Sequence, residues 1–145
     1  MSPEATFQLL NLVVLPWWGA FLAAPRSRAA RVMASHGGIF VALGAIYAAL
    51  RASARVGDSG GGFDLAGLQR AFQNPTVFLA GWTHYLAFDL FVGAWIVREA
   101  VRIDVEARPF LFFTWIAGPI GLAGFLLRRG WKLRSLGQLG DSDLV

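Results

Sequence analysis

The chain has 145 residues, 56% of them hydrophobic and 15% charged, with six Trp, twelve Phe and no cysteine. So apolar a composition marks an integral membrane protein, and the missing cysteine excludes disulfides, thiolate metal sites and cysteine nucleophiles together. The net charge of +4 comes from thirteen basic residues set mainly at the ends of apolar runs, which reads as anchoring to anionic lipid headgroups rather than as a nucleic-acid surface.

Four apolar runs, residues 5–24, 32–50, 77–97 and 110–127, each approach the roughly 20 residues that cross a bilayer as a helix. They are continuous rather than alternating and longer than barrel strands. The expected fold is therefore all-α, a single domain formed as an integral membrane bundle of four transmembrane helices. The first run lacks a positively charged start, carries Pro16-Trp17-Trp18 in its middle and meets Arg26, Arg28 and Arg31 beyond, so it reads as a mature helix and not a signal peptide. The second holds His36 beside Gly37-Gly38. Residues 57–62, rich in glycine, read as a turn; residues 63–72, with Phe63, Leu65, Leu68 and Phe72 spaced along one side, read either as a short interfacial helix or as a plain connector that Asn74-Pro75 ends.

The third run carries His84 and Asp89 near its middle, and an ionisable group at that depth costs roughly 3 kcal/mol or more, so it marks a functional site by default. A charged loop with Glu99, Asp104, Glu106 and Arg108 leads to the fourth run, which contains Gly118, Pro119, Gly121 and Gly124. With four crossings, Arg51, Arg55, Arg70, Arg128, Arg129, Lys132 and Arg134 share one face, and Arg26, Arg28, Arg31, Arg98, Arg102 and Arg108 the other. That near balance leaves the orientation undecided.

At about 1.5 Å per residue from each run's midpoint, His36 and Asp89 differ in depth by about one helical turn, with Thr114 in their layer. The same arithmetic sets Asn11 level with His84. Two polar pairs are thus expected, His36 with Asp89 and Asn11 with His84. His84 and Asp89 point apart by about 140° around their helix, which argues against a dyad between them.

Trp82-Thr83-His84, Asp89-Leu90-Phe91, Glu99, Glu106, Arg108 and Gly118-Pro119-Ile120-Gly121-Leu122 together resemble the abscisic-acid-deficient-four-like family, from about residue 74 to 126, with Leu15-Pro16-Trp17-Trp18 as a fainter match. The resemblance implies a small four-helix membrane protein whose plant members are required to convert violaxanthin to neoxanthin, a carotenoid isomerisation. The Ala-, Gly- and Arg-rich composition and a start almost at the first crossing read as bacterial, so a bacterial inner membrane is the expected location, and the ligand class carries over before the plant substrate does.

Opening an epoxide to an allene and an alcohol is redox-neutral, and needs an acid at the epoxide oxygen and a base at the adjacent carbon. Asp89 is the candidate acid and His84 or His36 the candidate base. Trp82, Tyr85, Phe88 and Trp95 are candidates to line a long apolar substrate and to face its positive charge, with Asn11 in the layer of His84; the resemblance adds Glu99 as a substrate-binding residue and raises Glu106 and Arg108, otherwise a solvated loop pair, to pocket-mouth residues. This chemistry requires no cofactor. A non-haem metal held by His36, Asp89 and Glu99 is allowed but demanded by no ligand spacing, and the histidines, about 12 Å apart in depth, do not suit opposite faces of one haem. The expected partner is a carotenoid or similar isoprenoid lipid; self-association or membership of a pigment-enzyme complex stays open. The alternative is a protein that binds a carotenoid or quinone without turnover.

Overall fold

A computed structural model describes residues 1–54 and 64–135; the expected glycine-rich turn, Phe63 and the end of the polar tail lie outside the described residues. The described elements are all helices: α1 (Pro3–Ala23), α2 (Arg28–Ser35), α3 (Gly38–Ser53), α4 (Leu65–Phe72), α5 (Pro75–Arg102) and α6 (Arg108–Leu133). Three of these, α1, α5 and α6, are long and apolar enough to cross a membrane, or four spans exist if α2 and α3 together make one.

The second expected helix, 32–50, is not continuous. It divides at His36-Gly37, where two consecutive glycines, Gly37 and Gly38, weaken the helix that straight apolar composition favours. Ser27 starts α2 by accepting a hydrogen bond from the Ala30 amide at 3.1 Å. Of the two readings of residues 63–72, helix or connector, a helix is present as α4, capped by Asp64, whose carboxylate accepts from the Gly67 amide at 2.7 Å. Asn74 then accepts from the amides of Thr76 and Val77, and Pro75 takes the first helical position of α5, where its missing N–H costs nothing.

Close contacts divide the chain into two units, Met1–Pro16 with His36–Phe88, and Trp17–Ser35 with Asp89–Val145. In the first, Leu10, Val14, Leu43 and Leu79 form the core. Gly81 makes room there for Phe72, whose ring would meet a Cβ at 2.6 Å.

In the second unit Phe21, Leu90, Ile96, Leu111 and Phe125 are completely buried. Here the last expected span departs from a straight crossing. Ala117 leaves the helical region (φ −150°, ψ 70°) and Pro119 supplies no N–H, so the hydrogen-bond ladder breaks. The two arms, residues 108–116 and 118–133, fold back on each other: the Phe110 and Phe125 rings meet edge to face at 5.5 Å, and a Cβ on Gly121 would overlap the Thr114 amide nitrogen and come within 2.5 Å of the Phe110 carbonyl oxygen. Glycine at 121 is what lets the two backbones approach. The second arm runs alongside α5 in the same direction, with Gly118 at Asp89, Phe125 at Trp95 (5.4 Å between rings) and Arg129 at Glu99. Outward-facing Phe112, Phe113, Trp115, Ile116, Ile120 and Leu127 are exposed, as suits side chains solvated by lipid.

Candidate functional site

The turn of the α6 hairpin meets Asp89, near the middle of α5. The Asp89 carboxyl is half-buried and lies so close to Gly118 that a Cβ there would overlap Oδ1 and stand 2.7 Å from Cγ. Glycine at 118 therefore makes the space for the carboxyl. Non-helical backbone at bilayer depth survives only where protein covers it or a cavity receives it. Such broken helices are where membrane transporters, for example, set their substrate sites. Thr114, also completely buried, spends its hydroxyl on the Phe110 carbonyl at 2.8 Å and packs on Gly121, so it braces the turn.

Beside this turn Phe91, Val92, Trp95, Leu122 and Leu126 line an apolar hollow of about 230 Å³ between α5 and the second arm of α6. Phe125 fixes the Trp95 indole by an edge-to-face contact at 89°. A carboxyl and an apolar groove thus lie on the same two helical segments, the combination that a greasy substrate with one polar reacting group would require.

About 15 Å further along α5, Glu99 and Arg129 are buried, at 8% and 2% exposure. Glu99 accepts both Nε (2.8 Å) and Nη2 (2.7 Å) of Arg102, and its Oε1 also accepts Arg129 Nε at 2.5 Å. Two guanidinium groups on one carboxylate bind the end of α5 to the second arm of α6. Sequence reasoning took Glu99 for a substrate-binding residue and missed Arg129, which looked like one more basic flank; the only signal was that an Arg pair follows an apolar run broken by Pro119 and three glycines. Glu106 and Arg108 are exposed: the Glu106 carboxylate accepts the Arg108 amide at 3.2 Å, and Arg108 Nη2 donates to the Ala23 carbonyl at 3.2 Å. These contacts tie the α5–α6 loop to the end of α1, aided by the Arg26–Asp104 ion pair at 2.7 Å.

The first unit contains the other aromatic candidates. Trp82 stacks on Tyr85 (5.2 Å) and on Phe78 (6.5 Å), packs against Phe7 (5.3 Å) and donates its indole N–H to the Asn11 side-chain oxygen at 3.3 Å. Asn11 also donates to the Phe7 carbonyl at 2.7 Å. The expected Asn11–His84 pair is therefore replaced by Asn11–Trp82, because Trp82 offers a rigid donor on the side of α5 that Asn11 reaches. His84 is exposed, stacked on Phe88 at 4.4 Å with Tyr47 at 6.1 Å. His36 is exposed at the break between α2 and α3. Next to the Phe7–Trp82 contact, Pro3, Glu4, Phe7, Phe72, Phe78 and Leu79 are among the residues around an open groove of about 580 Å³. Among the described residues no three His, Cys, Asp or Glu side chains gather where they would hold a metal ion.

A comparison with known families matches residues 5–125 to the family model described as ABA DEFICIENT 4-like. No curated protein matches the chain, and no solved structure does.

Proposed function

The chain belongs to the ABA DEFICIENT 4-like family, and on that premise we propose that it acts within a bacterial inner membrane on a carotenoid or similar isoprenoid lipid, isomerising it without net oxidation or reduction. The observation that carries this reading is the Asp89 carboxyl held against Gly118 at the break in α6, with an apolar hollow on the same helices. In the reaction, the Asp89 carboxyl gives its proton to an epoxide oxygen and the adjacent C–O bond opens. The electron deficiency spreads along the polyene, and a base takes a proton from the neighbouring chain carbon, whose C–H electrons form the new double bond. The proton then returns to Asp89, so atoms and electrons balance within the substrate and no cofactor is consumed. His84 or His36 is the proposed base; the exposure of both suits proton exchange with a substrate arriving from lipid. Trp82, Tyr85, Phe88 and Trp95 are proposed to line the polyene.

Identification of the pigment that copurifies with the protein, before and after incubation with epoxidised carotenoid, tests this. A new isomer of equal mass supports catalysis. Bound but unchanged pigment would instead assign the protein a holding role within a pigment-making complex.

A further inference from the structure

We propose that α6 is a re-entrant hairpin that enters and leaves the bilayer through one face, and that this face rests on the anionic headgroups of the cytoplasmic leaflet. The first arm, residues 108–116, covers only about 13 Å, under half of the roughly 30 Å hydrocarbon core. It then reverses at Ala117-Gly118, and the second arm returns beside it, as the Phe110–Phe125 and Gly121–Thr114 approaches require. By contrast α5, from Pro75 to Arg102, covers about 42 Å and has the length to cross completely.

The reversal changes the distribution of charge. Within the second unit, Arg26 pairs with Asp104, Arg108 holds the Ala23 carbonyl, Arg98 donates to the Ala34 carbonyl, and Arg129 joins Glu99. These contacts gather the end of α1, the α2 segment, the α5–α6 loop and the end of α6 at one end of that unit. Arg128, Lys132 and Arg134 follow there, and Trp131, exposed under the Arg128 guanidinium at 5.2 Å, suits the headgroup layer. All ten Lys and Arg among the described residues of the second unit lie on these segments or at the adjoining end of α5, and none lies elsewhere in that unit. A bias of that size, in short loops next to the spans, sets the basic face inside and draws it to anionic lipid.

The natural chain has no cysteine, so single cysteines report topology cleanly. Glu106→Cys and Ser135→Cys, with Arg28→Cys and Lys132→Cys as second markers of the basic face, are labelled with a membrane-impermeant maleimide in bacterial spheroplasts and in inverted inner-membrane vesicles. All four are expected to label only in inverted vesicles. Labelling of Glu106→Cys and Ser135→Cys from opposite faces overturns the hairpin. Labelling of all four basic-face positions in spheroplasts overturns the cytoplasmic assignment.

Discussion

Phe110 and Phe125 belong to one helical segment, yet their rings touch edge to face at 5.5 Å, where a straight helix would separate the two positions by about 22 Å along its axis. This contact turns an apolar run that looks like a crossing into two arms whose turn meets a carboxyl in the middle of α5. The hairpin, the position of Asp89 and the buried Glu99–Arg129 pair follow from the same reversal.

The glycines of the hairpin should rank by what surrounds them. At Gly121 a methyl group meets backbone atoms that have no room to give, so Gly121→Ala should destabilise by about 1–3 kcal/mol or open the hairpin. At Gly118 it meets the Asp89 side chain, which can swing, so Gly118→Ala should cost less stability while displacing the carboxyl and lowering any turnover. Gly19, with open space around it, should accept Ala with a change within about 1 kcal/mol. Thermal unfolding in detergent and product formation measured on the same preparations check this order.

Removing the carboxylate between Arg102 and Arg129 takes from a buried guanidinium the negative charge that Glu99 supplies. Glu99→Gln should therefore destabilise by about 3–5 kcal/mol, and the double variant Glu99→Leu with Arg129→Leu should be less destabilised than Glu99→Leu alone. A thermal-stability double-mutant cycle measures the coupling; additive effects would show that the pair contributes nothing jointly.

The Trp82 indole donates to Asn11 in a half-buried setting, so Trp82→Phe and Asn11→Leu should each cost about 1 kcal/mol. Their combination should cost less than the sum. Denaturation midpoints of the three variants give that difference directly.

His84 is exposed and touches Phe88 and Tyr47 by ring contacts. His84→Ala should therefore change stability by under about 1 kcal/mol while slowing isomerisation at least 100-fold if it is the base. Initial rates with epoxidised carotenoid, set beside the unfolding midpoint, separate the two effects.

Much of the helical pattern was legible because it follows from apolar run length: α1 and α5 lie close to their expected positions, whereas α4 is the helical one of two readings left open for residues 63–72. Asp89 stood out because a midspan carboxyl is costly wherever it occurs. Two features were hidden. The break at His36-Gly37 is a local contest between weak helix formers and an apolar run, which run length alone does not decide. The fold-back at Ala117 depends on Gly121 admitting the backbone near Thr114 and on Phe110 meeting Phe125, contacts between positions that periodicity treats as successive turns of one rod. The Glu99–Arg129 bond sets the end of α6 beside the end of α5, a pairing that counting charge along four straight crossings does not give.

The decisive measurement is conversion of an epoxidised carotenoid by purified wild-type and Asp89→Asn protein, with bound pigment quantified in both. The isosteric amide keeps the packing on Gly118 and removes the acidic proton, so the expected result is retained pigment with turnover reduced at least 100-fold. Equal turnover by the two proteins would contradict Asp89 as the proton donor and with it the proposed chemistry.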